Sequence, residues 1–317
     1  MYADQADALL SDDRLGGPCG PNQALFAPPP GHELVMTVDT LVSGVHFPQN
    51  SDPADVGHKA LAVNLSDLAA AGADASWVTV TVSGATGEQD GQWLAGFRSG
   101  LQTLARRWEV TVRAAWVDRG PSLVSIGAYG VVPAGQALRR SGAAVGDDIY
   151  VTGSLGDAGL ALEYHFARRS LPAVHEGYLT RRLRRPEPRL DVGRALRGLA
   201  RAAIDISDGL AADLGHILAA SGVGATVHLE RLPLSPSLRE AGAREAGLRL
   251  ALTAGDDYEL CFTAPPEKEA QLQGIAAQTG VAITRIGEIE AQRGLRIVDA
   301  AGVRYRLPKP GYEHFRS

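Results

Sequence analysis

Along this chain, apolar runs alternate with segments of helical periodicity in the order of an α/β protein. ELVMTV (33–38) reads as a buried strand that enters an acidic turn. DPADVGHKALAVNLSDLAAAGA (52–73) has helical periodicity, with Asp52 as N-cap and Pro53 at the first helical position. WVTVTVSG (77–84) is rich in β-branched residues and predicts a strand, and residues 88–108 predict an amphipathic helix. VTVRAAWV (110–117) and SLVSIGAYGVV (122–132) predict two further strands. This order of strand, helix, strand, helix, strand, strand predicts an N-terminal α/β unit with a mixed sheet.

The pattern restarts after residue 133. IYVTG predicts a strand, and a Gly-punctuated turn leads into the helix SLGDAGLALEYHFA. RRLRRPEPRL (181–190) reads as a basic, Pro-containing connector. AAIDIS predicts a strand feeding the helix DGLAADLGHILAAS, and ATVHLE, LALTAG, YELCFTA and AITRIGEI predict later strands separated by helices. The expected domains are therefore 1–135 and 136–317, and the fold class is α/β (α+β).

Composition narrows the function. The chain has 317 residues, enough for two domains, and a formal net charge of −5, so no basic field exists to hold nucleic acid or an anionic membrane. Two cysteines, Cys19 and Cys261, lack metal-ligand spacing and do not indicate a disulfide framework. MYADQADALLSDDRLGG lacks the basic start and apolar core of a signal peptide, and no apolar run approaches the ~20 residues of a membrane helix. A cytoplasmic globular protein is expected.

The candidate chemistry lies in four acidic stretches: TVDTLVSGVHF (37–47), NLSDLAAAG (64–72), DISDGLAADL (205–214) and AGDDYEL (254–260). Carboxylates gathered from distant segments with few basic residues among them suit a hard cation such as Mg²⁺, which commonly joins one or two carboxylates to substrate phosphates. Asp39 ends a predicted strand, where open α/β sheets present ligand-binding groups; a local turn role is the alternative. Asp67 lies within an apolar helix and needs a partner, which Asn64 and Ser66 are placed to supply. Asp205 ends a strand and Ser207 or Asp208 caps the next helix, which would aim backbone N–H groups at a phosphate. Asp213 is expected on the exposed face of that helix. His46 is a candidate for a substrate phosphate or ring, and Arg140 for a phosphate clamp; a satisfied histidine and a surface charge are their alternatives.

These motifs in this order resemble the thiamine-monophosphate kinase family, of the superfamily that includes aminoimidazole ribonucleotide synthetase and selenophosphate synthetase. TVDTLVSGVHF, HKALAVNLSDLAAAGA, RSGAAVGD, DISDGL, DDYEL and GYEHF carry the resemblance, from about residue 20 to the C-terminus. It implies an N-terminal α/β domain that binds ATP and metal and pairs across a homodimer into a barrel, plus a C-terminal α/β domain. It also implies the reaction in which ATP phosphorylates thiamine monophosphate to thiamine diphosphate, with Mg²⁺ assisting direct transfer and no protein nucleophile. Carried over, Asp39, Asp67, Asp205 and Asp208 fall on metal ligands, and Arg140 and Ser207 on ATP contacts. His46, Asp256 and Tyr312 fall on substrate contacts, with Asp256 standing where the family usually has Glu.

Two departures accompany the resemblance. The family carries G-D-D-A-A near the first strand, where this chain has GPNQA, so Pro21 and Asn22 replace an acidic pair. The family also carries G-G-D-T-T-R-G-P, where this chain reads AAWVDRGP (114–121), so Trp116 occupies a metal-ligand position and Ala114 and Ala115 replace glycines. The alternative function is a catalytically weakened homologue that binds thiamine phosphates or a partner without efficient transfer. Asp12, Asp13 and Asp118 are the nearby acids that compensation would have to use.

Overall fold

In the N-terminal half the apolar runs form β1 (His32–Val42), α1 (Pro53–Ala70), β2 (Asp74–Ser83), α2 (Glu88–Arg107), β3 (Thr111–Asp118) and β4 (Leu123–Pro133). The computed structural model describes residues 27–84, 88–167, 172–241, 244–307 and 311–312, so Asp12, Asp13, Cys19, Pro21 and Asn22 lie outside the described residues. The chain divides into two compact units, one of 1–68 with 73–135 and the other of 136–317 with 69–72.

Among the described residues, the first unit holds a four-stranded sheet of order β1-β4-β2-β3. Only β2 and β3 pair in parallel, so the sheet is mixed as expected. α1 begins where its cap signal placed it: the Asp52 carboxylate accepts the Ala54 N–H at 2.8 Å, and Pro53 opens the helix. Along β4, residues 124, 126, 128, 130 and 132 are buried while their neighbours are half-buried, the period-2 signature of a sheet covered on one face. The other face carries Met36 and Val38, 65% and 64% exposed, on the edge strand β1.

α1 and α2 approach through glycines. A Cβ on Gly57 would sit 2.0 Å from the Phe97 carbonyl oxygen, and one on Gly100 would sit 1.9 Å from that of Ala54. Gly100→Ala should therefore destabilise the protein by about 1–3 kcal/mol through forced separation of the helices, despite the better helix propensity of Ala. Urea unfolding checks this, and an unchanged or raised midpoint would contradict the close crossing.

The second unit comprises β5 (Asp148–Thr152), α3 (Asp157–Phe166), α4 (Ala173–Arg184), α5 (Leu190–Ala195), β6 (Ala202–Asp205), α6 (Leu210–Ser221), β7 (Gly224–His228), α7 (Pro236–Ala241), α8 (Arg244–Thr253), β8 (Leu260–Ala264), α9 (Glu269–Thr279), β9 (Ile283–Glu290) and β10 (Gly294–Val298). Its sheet, of order β10-β7-β9-β5-β8-β6, packs Ile149, Val151, Ile204, Leu214, Ile217, Ile286 and Ile289 into one core.

Two sequence expectations fail here. LALTAG is not a strand, because residues 244–253 form α8, with Leu250, Ala251 and Leu252 all buried. A short helix covered on several sides gives a continuous apolar run that periodicity alone cannot tell from a strand. The basic segment 181–190 is not merely a connector: α4 runs through Arg184 and α5 starts at Leu190. Among the described residues, no helix is long and apolar enough to cross a membrane.

Candidate active site

In the first unit, β1 and α1 assemble a small polar site on the covered face of the sheet. Thr37 and Asp39 project from the same face of β1, since their register partners Ala128 and Ile126 are buried residues of β4. Asn64 and Asp67 lie one turn apart on α1. The Asp39 N–H donates to Asn64 Oδ1 at 3.1 Å, and Thr37 Oγ1 donates to Asp67 Oδ2 at 2.5 Å. Asn64 is fully buried and spends its amide on the Ala60 carbonyl at 2.9 Å. Asn64 thus fixes the Asp39 backbone, whereas it was expected as a partner of Asp67, and Thr37 is a partner of Asp67. Beyond the end of β1, His46 Nδ1 accepts the Val42 N–H at 3.0 Å. A neutral His46 therefore carries its proton on Nε2.

Trp116 occupies a different surface. The register row Thr40–Ser125–Thr81–Trp116 crosses the sheet on its uncovered face, where the indole is 48% exposed. β1 and β3 are opposite edges of the sheet, so Asp39 and Trp116 are separated by three strand spacings, about 14 Å, and by the sheet itself. Within one chain, residue 116 is no neighbour of the Asp39–Asp67 pair. Asp118 is two residues further on and spends Oδ1 on the Arg119 N–H at 2.7 Å.

In the second unit, three segments meet at the end of β6. Asp205 is the last residue of β6 and is buried. The Asp256 N–H donates to the Ser207 carbonyl at 3.0 Å, the Tyr258 N–H to that of Ile206 at 2.9 Å, and the Tyr312 N–H to that of Asp208 at 2.9 Å. Asp205, Ser207, Asp208, Asp256 and Tyr312 are thereby brought to one place. Arg140 is not: its carbonyl receives the Ser221 hydroxyl at the far end of α6, about 18 Å along the helix from Ser207.

The cap of α6 differs from expectation. Its N-cap is Gly209, with no side-chain capping bond, so neither Ser207 nor Asp208 fills that role. Asp213, only 2% exposed, reaches back from the helix instead, and its Oδ2 accepts the N–H groups of Ser207, Asp208 and Gly209 at 3.0, 3.0 and 3.1 Å. Those donors are consumed internally, so this loop does not offer them to a phosphate. Burial pushes the Asp213 carboxyl up to about 7, against the lowering by these N–H groups. Its place beside Leu210, Leu214 and Ile217 at helical spacing was the available signal: a carboxylate on the apolar stripe is a buried one.

Beneath the 254–259 loop lies a buried charge cluster that the sequence reading missed. Arg189 grips Glu259 with Nε at 2.6 Å and Nη2 at 2.5 Å, Arg182 Nη2 lies 3.1 Å from the same carboxylate, and the Thr152 hydroxyl donates to it at 2.7 Å. Asp157 accepts the hydroxyls of Ser154, Tyr178 and Ser235 at 2.6, 2.9 and 2.5 Å. Asp257 accepts the Gly156 N–H with both oxygens, at 3.0 and 2.8 Å. Burial drives the Asp257 carboxyl well above its ordinary value, against the opposing pull of Arg182.

The site is compatible with magnesium. Its donors are hard oxygens, and no group of three or more His, Cys, Asp or Glu forms a complete cage among the described residues. An ion that keeps waters and phosphate oxygens needs only one or two carboxylates.

Similar proteins share this architecture. Residues 20–132 match the family described as AIR synthase related protein, N-terminal domain, and residues 144–300 its C-terminal domain counterpart. The thiamine-monophosphate kinase of Salmonella typhimurium is 44% identical over 317 residues, covering 99% of this chain and 96% of the relative; that of Escherichia coli strain K12 is 43% identical with the same coverage. The crystal structure of thiamine-monophosphate kinase from Stenotrophomonas maltophilia superposes with a TM-score of 0.83 at 44% identity, covering 86% of this chain and 87% of that one. A structure of AaThiL complexed with AMPPCP and TMP gives 0.81 at 28% identity, covering 91% and 89%.

Proposed function

The chain belongs to the thiamine-monophosphate kinase family, and from that premise we propose that it transfers the γ-phosphoryl group of ATP to thiamine monophosphate, giving thiamine diphosphate and ADP. The observation that carries this reading is the meeting of Asp205, Ser207, Asp208, Asp256 and Tyr312 at one strand end. The placement of Asp39 on β1 and of Asp67 on α1, bonded to Thr37 of β1, supports it.

The reaction joins two polyanions, so charge must be neutralised and the reacting oxygens aligned without a protein nucleophile. Magnesium supplies that neutralisation when bound. Asp39 and Asp67 in the first unit, and Asp205 and Asp208 in the second, are the proposed metal ligands. Ser207 is assigned to ATP; Arg140, at the far end of α6 from it, has that assignment from the family likeness alone. The Nε2–H of His46 is assigned to the substrate phosphate, with its tautomer set by the Val42 N–H. Thiamine carries a cationic thiazolium ring and an aminopyrimidine, which the Asp256 carboxylate and the exposed Tyr312 ring complement. Domain 1–135 is read as an ATP- and metal-binding domain that also dimerises, through the exposed Met36–Val38 face. Domain 136–317 is read as its C-terminal partner, and the cytoplasm as the place of action in thiamine diphosphate biosynthesis.

The weakened-homologue reading draws on Pro21, Asn22 and Trp116. A coupled assay of thiamine diphosphate formation from ATP, Mg²⁺ and thiamine monophosphate decides between the two. Wild-type turnover is expected, with Trp116→Asp within about tenfold of it, because residue 116 is remote from the Asp39–Asp67 pair. Absence of wild-type product would sink the kinase reading. A gain of a hundredfold or more in the variant would show a defect at residue 116 that a single chain does not explain.

A further inference from the structure

Three non-glycine residues among the described ones have a left-handed backbone: Glu109, Asp256 and Tyr258, with φ of 55°, 67° and 50°. Glu109 follows the C-terminus of α2, where such a conformation commonly ends a helix. Asp256 and Tyr258 have no helix end to account for them. They flank Asp257 in the loop between α8 and β8, and left-handed residues with a Cβ persist only where their surroundings over-determine them.

The surroundings do so from below and from the side. The side chains of Asp257 and Glu259 are anchored downward, the first on the Gly156 N–H and the second in the grip of Arg189 and Arg182. Arg182 Nη2 also donates to the Asp257 carbonyl at 3.4 Å and to the Ser154 carbonyl at 3.1 Å. Laterally, the N–H groups of Asp256 and Tyr258 bond the carbonyls of Ser207 and Ile206. Between these anchors, the Tyr258 hydroxyl donates to Asp256 Oδ1 at 3.0 Å. The Tyr258 ring is buried and has little freedom to swing.

We propose that Tyr258 is a positioning residue, whose phenol holds the Asp256 carboxylate in one orientation towards the bound thiamine monophosphate. The proposal rests on the reading of Asp256 as a substrate contact. Asp256 is one methylene shorter than the glutamate usual in the family, and the left-handed turn with its phenol tether is what aims this shorter side chain. The Asp257 and Glu259 anchors hold the loop and do not touch the substrate.

Tyr258→Phe removes the hydroxyl and keeps the ring, so the fold and melting temperature should be preserved. In crystal structures of the ligand-free proteins, Asp256 should occupy one rotamer in the wild type and several in Tyr258→Phe. A single unchanged rotamer in the variant overturns the proposal. Calorimetric titration with thiamine monophosphate should show three- to tenfold weaker binding for Tyr258→Phe, at least as large a loss for Asp256→Asn, and no further loss in the double variant. In turnover the effect should fall on KM for thiamine monophosphate and leave kcat and KM for ATP within twofold. Additive losses overturn the positioning role while leaving the kinase reading intact. Failure of the wild type to bind thiamine monophosphate overturns the kinase reading, and with it the substrate half of this proposal.

Discussion

Asp67→Asn is expected to lower kcat/KM for thiamine diphosphate formation by about a thousandfold while leaving the protein folded. A full charge about 4 Å from a divalent ion's nearest unit of charge is worth on the order of 4 kcal/mol at an effective dielectric near 20, which is close to three decades in rate. The amide oxygen of Asn can still accept from Thr37 Oγ1, so the bond between α1 and β1 is retained. Melting temperature should therefore shift by no more than a few degrees. Steady-state kinetics at saturating Mg²⁺ checks the first part and thermal unfolding the second. A loss under tenfold would remove Asp67 from the metal site, and a large loss of stability would assign it a structural role instead.

Glu259→Gln should have the opposite profile, with a loss of stability of about 3–5 kcal/mol, the usual cost of removing one partner of a buried ion pair. The side chain is fully buried, and the amide takes from Arg189 the carboxylate it grips and from Arg182 one of its carboxylate neighbours, leaving Arg182 with Asp157 at 3.7 Å. For a unit of this size the change corresponds to a melting temperature lower by roughly 10 °C. The effect should depend on pH. Burial pushes the Glu259 carboxyl up, but Arg189 and Arg182, with the Thr152 hydroxyl, more than reverse this and hold it below the ordinary carboxylate range. A folded-state value below the unfolded one contributes stability above about pH 4.3, and the contribution is lost as pH falls through the lowered value. Urea unfolding at pH 7 and in acid should show the gap between wild type and variant narrowing with acidification. Equal gaps at both pH values would mean that the carboxylate charge is not what Glu259 supplies.

Much of the fold was legible from local pattern. Asp52 and Pro53 marked the start of α1 because capping involves residues two or three apart, and β4 was readable because its alternation reports one covered face. The acidic stretches and the family likeness likewise pointed to Asp205, Ser207, Asp208, Asp256 and Tyr312 before any geometry was known. Legibility ended where a side chain's partner is distant in sequence. Arg189 reads as part of a basic connector until Glu259, 70 residues away, is seen in its grip. α8 reads as a strand until its apolar residues are seen covered on several sides.

Most of the element order and the mixed sheet of the first unit thus followed from residue identity and short-range spacing, and the motifs carried the likeness to the family. The three-dimensional arrangement alone decided which carboxylates are buried and which donors they accept from. Asp208 and Asp213 are five residues apart and chemically identical, yet one is half-buried and the other is buried and staples the loop shut through three backbone N–H groups. It also decided that Trp116 lies across the sheet from Asp39 and Asp67, since a pairing register assigns each side chain to a face only once the strands are joined. A carboxylate's role follows from the donors folded around it, and those donors come from distant parts of the chain.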